Sequence, residues 1–559
     1  MATIGIDLGT SNSMVTYWNG KNGEVIKNVL GNVLTPSIIS VDESGEILIG
    51  EIAKERLITY PDKTVSAFKR FMGTKKIYSI GKHEFSPIEL SSIILKKLKE
   101  DAESYLNESC DSAVISVPAY FNNAQREATL AAAKLAGIDV LNLISEPTAA
   151  AISYGLYSEI DSTILVLDLG GGTFDVSLLE IFEGIIQVNA ISGDNKLGGE
   201  DFTNEIVKDF LRKTQLKEDI LNLEFMSLLR KKCEHLKLNL SEENLSFNIE
   251  YRDVNYEYSL NIGEFDKLVV DLLERIKTPI IKAIKDSQIK VEDIDKVILI
   301  GGATKSESVR KYITKLFNKF PYISINPDEA VGIGAGIQTA LKLRDENLSE
   351  VILTDVCAHT LGIETTDVDG NIIIDGLFSP IIERNTTIPV SIIKRFYKLY
   401  DRQEVINVLI YQGESNKVED NLFLSKLSIP IERENDAIDV RFTYDGNGVL
   451  EVDVEVVNSS IKKRLVIEEN PGTLTQAEIE EILIKLEQFK VHPREKSENR
   501  YLLERASRLY VESLGEKRSY IGNLITKFEI TLEKQIPEKI KEEAEELNNI
   551  LNTLEREIF

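Results

Sequence analysis

The chain has 559 residues, 91 of them acidic against 65 basic, for a formal net charge of −26. That length exceeds what one hydrophobic core can serve, so roughly two to four domains are expected. The acidic balance disfavours nucleic acid and anionic lipid as partners and suits basic polypeptide segments better. No apolar run approaches the ~18 residues of a transmembrane helix, and a strand beginning at Thr3 leaves no room for a signal peptide. Cys110, Cys233 and Cys357 are odd in number and far apart. They suit a reducing compartment and argue against a disulfide framework or a zinc cluster. The expectation is a cytoplasmic, mainly monomeric protein without nucleic-acid or membrane partners.

In chain order, strands are expected near 3–8, 14–18, 113–117, 164–168, 174–181 and 297–301, separated by amphipathic helices. Ser86-Pro87 opens one helix with an N-cap serine and proline at the first position. Residues 123–136 form another, closed by Gly137. Residues 328–343 form the last, with Gly332, Gly334 and Gly336 for close packing. This alternation is α/β. From about 356 to 469 the chain turns β-rich, with turn signals at Asp369-Gly370-Asn371 and Asp445-Gly446-Asn447-Gly448 and a hairpin over 442–456. From Thr473 on, Glu, Lys, Leu and Ile recur at helical spacing behind the capping-box match Thr475-Gln476-Ala477-Glu478.

Two segments share one design. Thr3-Ile4-Gly5-Ile6-Asp7-Leu8-Gly9-Thr10-Ser11-Asn12 and Ile164-Leu165-Val166-Leu167-Asp168-Leu169-Gly170-Gly171-Gly172-Thr173-Phe174-Asp175 each end an apolar strand in an acidic, glycine- and hydroxyl-bearing turn. Glycine lets backbone N–H groups approach phosphate oxygens, and the aspartate can hold a hydrated divalent cation. Asp7, Thr10, Asp168, Gly171, Gly172 and Thr173 are therefore the expected phosphate cradle. A third glycine element, Gly301-Gly302-Ala303-Thr304-Lys305, follows a strand and could let adenosine lie against bare backbone. There is no P-loop sequence.

Together these motifs resemble the actin, hexokinase and heat-shock chaperone ATPase superfamily. Val117-Pro118-Ala119-Tyr120-Phe121-Asn122, Glu146-Pro147-Thr148-Ala149-Ala150-Ala151, Gly193-Asp194-Asn195-Lys196-Leu197-Gly198-Gly199-Glu200-Asp201-Phe202, Ile325-Asn326-Pro327-Asp328-Glu329-Ala330-Val331, Leu361-Gly362-Ile363-Glu364 and Arg384-Asn385-Thr386-Thr387-Ile388-Pro389 narrow the resemblance to the DnaK-type 70-kDa heat-shock chaperones. The size and the Asp355-Val356-Cys357 segment are similar to the HscC branch, which implies a short lid. The resemblance implies an actin-like two-lobed ATPase domain over 1–348, a linker over 349–355, a β-sandwich peptide-binding domain over 356–470 and a helical lid over 471–559.

The resemblance also implies roles. Lys69 would orient the attacking water; taken alone it reads as a surface lysine. Asp7 and Asp168 would hold Mg2+ through water, with Glu146 and Asp175 around them, and Thr173 would lie near the γ-phosphate. Gly9, Thr10, Ser11, Asn12, Gly171, Gly172, Gly301, Gly302, Ala303, Lys305 and Asp328 would complete the ATP/ADP site. Glu234, Lys237 and Ser241 would contact adenosine from one face of one helix. Leu238, Ala303 and Lys305 depart from the family pattern and imply weaker nucleotide binding and faster exchange. Pro147, Arg126, Leu353 and Asp355 would relay nucleotide state. Leu361, Ile363, Thr365, Phe396, Leu399 and Ile406 would line the peptide site, and Thr366 with Leu399 replaces the usual bridge over it. His83, His235, His359 and His492 suggest no metal site. K+ is a further candidate cofactor.

The implied activity is an ATP-dependent chaperone for unfolded or extended polypeptides, slow in hydrolysis and stimulated by a J-domain partner. A compact connection between lobes near 248–262 makes dependence on a nucleotide-exchange factor doubtful. Two alternatives share the ATPase fold. A sugar or metabolite kinase leaves the sandwich and tail unexplained, and an actin-like filament subunit would be obstructed by the C-terminal appendage.

Overall fold

The computed structural model describes residues 2–155, 161–182, 185–218, 221–322, 325–345, 352–369, 372–388, 390–400, 403–432, 437–444, 450–467, 497–533 and 537–558. The first lobe carries a mixed sheet. Strands β1 (Thr3–Asp7), β2 (Asn12–Trp18) and β3 (Gly23–Ile26) form an antiparallel meander. Helix α1 (Glu51–Thr59) packs on a small three-stranded sheet at its rim, and α2 (Pro87–Leu106) starts with the expected capping box on Ser86. Strand β4 (Ser112–Val117) lies parallel to β1; α3 (Asn123–Leu135) and β5 (Asp139–Ser145) follow, β5 parallel to β4. The sheet order is β5-β4-β1-β2-β3. Helix α4 (Glu146–Ser153) then leads to the second lobe.

There the plan repeats. Strands β6 (Ser162–Leu169), β7 (Phe174–Phe182) and β8 (Ile185–Asp194) form another meander. Helices α5 (Gly199–Thr214) and α6 (Leu223–Leu238), the hairpin β9 (Leu245–Tyr251) and β10 (Val254–Leu260), and α7 (Val270–Ser287) cover one face. Strand β11 (Lys296–Ile300) joins β6 in parallel. Helix α8 (Ala330–Leu343) packs with α4 between the two sheets. Glycine permits this approach: a Cβ at Gly334 would lie 1.8 Å from the Ala149 carbonyl oxygen, and one at Gly5 would lie 2.3 Å from Gly336 N.

Segment 248–262 is not a connection between lobes. It is most of the β9–β10 hairpin, whose Ile249, Tyr258 and Leu260 are buried in the core of the second lobe. The part of the expected linker that is described is also more than a tether. Strand β12 (Ile352–Val356) adds to the second-lobe sheet parallel to β8, through Ile352 to Thr354, and pairs with Thr387–Ile388 on its other side.

Two four-stranded antiparallel sheets follow. One has β13 (Leu361–Asp369), β14 (Ile372–Ile382) and, after β15 (Val390–Tyr397), strands β16 (Val405–Gln412) and β17 (Leu422–Pro430), in the order β14-β13-β16-β17. The other pairs β15 with β18 (Ala437–Tyr444), β19 (Leu450–Val456) and β20 (Lys462–Ile467), in chain order. They share one core. Strand β19 shows why: Leu450, Val452, Val454 and Val456 point inward while Glu451, Asp453 and Glu455 face outward. Strands β18 and β19 are the arms of the expected 442–456 hairpin; its Asp445-Gly446-Asn447-Gly448 turn, like Gly370-Asn371, the capping box at Thr475 and His492, lies outside the described residues.

Helices α9 (Ser497–Glu512), α10 (Gly515–Glu533) and α11 (Pro537–Ile558) close the chain around a small core of Leu502, Leu509, Ile521, Phe528, Leu547 and Leu551. Helix α9 lies along α1 of the first lobe. No helix among the described residues is long and apolar enough to cross a membrane.

Candidate nucleotide site and its couplings

Parallel pairing of β1 with β4 sets Asp7 opposite Ser116, whose hydroxyl donates to Asp7 Oδ1 at 2.6 Å. Antiparallel pairing of β6 with β7 sets Asp168 opposite Asp175. The two turns beyond these strands meet face to face: a Cβ at Gly171 would fall 1.9 Å from Ser11 Oγ. The first turn is held from behind by Ser37, whose hydroxyl donates to the Gly9 carbonyl at 2.8 Å. The second is backed by the start of α5, where Gly199 N and Glu200 N donate to the carbonyls of Gly170 and Gly171. Arg70 reaches across from the first lobe and donates twice to the Gly172 carbonyl, at 3.1 and 3.0 Å, while pairing with Asp201.

Lys69 is not on the surface. It is buried, and its Nζ lies 3.0 Å from Glu146 Oε1 and 5.5 Å from the Phe121 ring centre. Glu146 begins α4 and Pro147 follows it in the first turn. Around this pair converge Asp7, Asp168 and Asp175. Burial, then the charge of Glu146, pushes Asp7 up to about 6, although part of Asp7 still opens into the cleft. The same causes, in that order, push Asp175 up to about 7. Asp168 is raised well above the ordinary range by burial and by Glu146, Asp175 and Asp7. Asp175 Oδ1 accepts from Tyr120 N at 3.0 Å, whereas its buried Oδ2 has no hydrogen-bond partner among the described residues.

Such a set, several carboxylates against one lysine, fits a group that brings positive charge. The residues present therefore fit Mg2+, with Asp7 and Asp168 as the nearest candidates to hold its water shell.

On the adenosine side, Lys237 Nζ pairs with Glu234 at 2.7 Å and donates to the Gly199 carbonyl and to Thr203 Oγ1 at 2.8 and 2.9 Å. Ala303 approaches the same Gly199. Gly301, at φ +80°, sits against Asp168 and Leu169 where no side chain fits, and Lys305 pairs with Asp328 beside Gly302. Ser241 does not share the helical face expected of it. Helix α6 ends at Leu238, because Asn239 leaves helical geometry and its side chain takes the His235 carbonyl; Ser241 is exposed in the loop and bonds the Glu243 carbonyl.

Of the residues expected to relay nucleotide state, Leu353 and Asp355 lie on β12, and Pro147 lies apart in the first turn of α4. Leu353 packs on the core shared by the lobes. Asp355 is raised by burial and lowered in turn by the Arg126 charge from α3. Around it the sandwich touches both lobes. Arg384 holds Asp286 of α7 with two bonds, at 2.8 and 2.9 Å. Asn385 bonds Asp286 and Ile191 N, Tyr444 donates to Asn123 Oδ1, and His359 Nε2 lies 3.1 Å from the Tyr120 carbonyl.

Of the expected peptide-site residues, Leu361 and Ile363 are buried in the sandwich core, with Phe396 and Ile406 packed half-buried against it. They pack as core here rather than as an open lining. Thr365 donates to the Leu377 carbonyl, Thr366 to Asp375 Oδ1, and Leu399 is exposed in the loop after β15. Sequence reasoning missed Ser37, Arg70, Ser116, Tyr120 and Thr203. Arg70, next to Lys69, and Tyr120, inside the Val117–Asn122 motif, had a local signal; the others depend on strand pairing or helix packing across the fold.

The geometry defines two lobes with facing glycine turns over a carboxylate-lined cleft, joined to a pair of four-stranded sheets and a helical appendage. The family model described as Hsp70 protein matches residues 3–558. The chain is also similar to "Chaperone protein DnaK" of Thermosipho africanus (strain TCF52B), at 37% identity over 575 aligned positions that cover 98% of this chain and 94% of the relative. The chain belongs to the Hsp70 family, of the DnaK type. It is accordingly an ATP-dependent chaperone and an ATPase, which sets aside the kinase and filament alternatives.

Proposed function

We propose that this chaperone is an ATP-driven clamp for extended hydrophobic segments of unfolded polypeptide, drawn here in its docked form. In this reading residues 1–348 form an actin-like ATPase domain, 349–355 a linker, 356–470 the peptide-binding sandwich and 471–559 a short lid like that of the HscC branch. The observation that carries it is the addition of β12 to the second-lobe sheet, which ties sandwich position to lobe position.

Within the cleft, the turn of Gly9, Thr10, Ser11 and Asn12 faces that of Gly171 and Gly172 and would receive the phosphates from both sides, with the Gly9 amide itself taken by Ser13 Oγ. Thr173 stands near the γ-phosphate, and Glu146 fixes Lys69 so that its ammonium can orient a water and offset developing negative charge. Mg2+ would supply charge neutralisation on the phosphate oxygens, and K+ is a second candidate ion. Glu234, Lys237, Gly301, Gly302, Ala303, Lys305 and Asp328 would hold adenosine, more weakly than in relatives with an arginine at Leu238. Ser241 would contribute from the loop after α6.

Hydrolysis would free β12 and α9. The sandwich would then close on a peptide through main-chain bonds and the Leu361, Ile363, Phe396 and Ile406 pocket. Opening that pocket in the docked form requires Leu361 and Ile363 to give up part of their packing. A J-domain partner would accelerate hydrolysis, and the cytoplasm is the natural compartment. Peptide affinity measured in ATP and in ADP tests the reading. ATP is expected to weaken binding at least about tenfold, in keeping with reciprocal coupling; equal affinities would overturn it.

A further inference from the structure

Helix α9 does more than lie on the first lobe. Its Arg500 pairs with Glu46, its Glu504 with Arg56 at 2.5 Å, and its Arg508 with Glu55, all three partners belonging to the first-lobe rim. Arg508 also holds Glu512 at 3.1 Å and is itself fixed by Glu555 of α11. Glu512, at the end of α9, then reaches Lys231 Nζ of α6 at 3.2 Å. Helix α6 belongs to the second lobe, and its Glu234 and Lys237 sit one turn further along, at the expected adenosine face. The chain Glu55–Arg508–Glu512–Lys231 therefore runs from one rim of the cleft to the other through the appendage. Glu512 and Arg508 are almost wholly buried, with side chains 7% and 5% exposed, so the middle of the link is shielded from solvent, while its Lys231 end is 34% exposed.

We propose that α9 is a clasp across the nucleotide cleft: while docked, it holds the two rims together through Lys231 and slows escape of bound nucleotide. The appendage then has a second task besides covering the peptide site, and nucleotide exchange waits on its release. The final helix α11 serves the clasp by orienting Arg505 and Arg508 through Glu555. This rests on the ATPase reading above.

The test uses the full chain and the release of a fluorescent, slowly hydrolysed ATP analogue chased with unlabelled ATP. Lys231→Gln removes only the second-lobe end and leaves the three pairs to the first lobe intact. It should speed release about tenfold, the usual size of a coupling between sites, with the hydrolytic step in single turnover unchanged. Lys231→Arg should restore slow release. Wild-type release from Lys231→Gln, or release from Lys231→Arg as fast as from Lys231→Gln, would overturn the clasp and leave the chaperone reading standing. A wild-type chain that binds no nucleotide would instead sink the reading beneath it.

Discussion

The nucleotide cleft and the α9 contact are both built from buried charge, yet in opposite ways. In the cleft, Asp7, Asp168, Asp175 and Glu146 crowd around Lys69, and the carboxyls titrate high because burial and like charge penalise them. Between α9 and the lobes, each arginine faces carboxylates. The first arrangement is complete only with a ligand that brings positive charge; the second pairs each charge with an opposite one, although Glu46 Oε1, Arg56 Nη2 and Glu504 Oε2 stay buried without a hydrogen bond among the described residues. A site meant to bind keeps its electrostatics unsatisfied, whereas a contact meant to hold and release pairs its charges internally.

The largest effect should come from breaking the cation among the cleft's carboxylates. Lys69→Ala, or Thr173→Ala in the second glycine turn, is expected to slow single-turnover hydrolysis at least about 100-fold while nucleotide still binds. Normal turnover in both would remove them from the catalytic site. Next comes the paired side. Arg508→Ala strands Glu55, whereas Glu555 keeps Arg505, and should cost the docked form about 3 kcal/mol. ATP would then no longer lower peptide affinity, and an intact ATP effect would show that the contact is dispensable.

Ile406→Phe, half-buried against the sandwich core, should overfill the pocket and weaken peptide binding roughly tenfold with basal hydrolysis unchanged. Unaltered affinity would place the pocket elsewhere. Asp286→Ala removes the two-bond partner of Arg384 at a partly exposed interface, so docking should weaken by only about 1 kcal/mol. Protease access to the 349–355 segment in ATP would report it.

The smallest effect is a pH dependence. Burial lowers His359 below its ordinary 6.5, against the Tyr120 carbonyl and among Glu414, Lys282 and Arg126. Above that value the imidazole is neutral whether docked or free, and docking is unaffected. As pH falls below it, the freed imidazole takes up a proton first, so docking weakens. The same protease assay should show more cleavage at low pH in the wild type and a flatter profile in His359→Asn. Trp18 offers a reporter, because its indole N–H bonds Asp345 at the far end of β2, just ahead of that segment.

Much of the cleft was legible because phosphate chemistry demands local sequence: a strand, an aspartate and a glycine turn, written twice. The sandwich was legible through alternation, as in β19, and the helical tail through its periodicity. The shape of the 248–262 hairpin was not, since only packing against α5 and α6 tells a core hairpin from a connection. Ser241 was misjudged because helical spacing cannot show where Asn239 ends the helix.

By itself, the sequence determined which residues could carry phosphate, metal and catalytic chemistry, because those roles depend on residue type and on neighbours a few positions away. Tertiary structure alone decided that Ser11 meets Gly171, that an apolar linker becomes a strand, and that Glu512 bridges to Lys231 281 positions earlier. Those contacts join segments far apart in the chain, and their energy depends on burial and register, which no local pattern encodes.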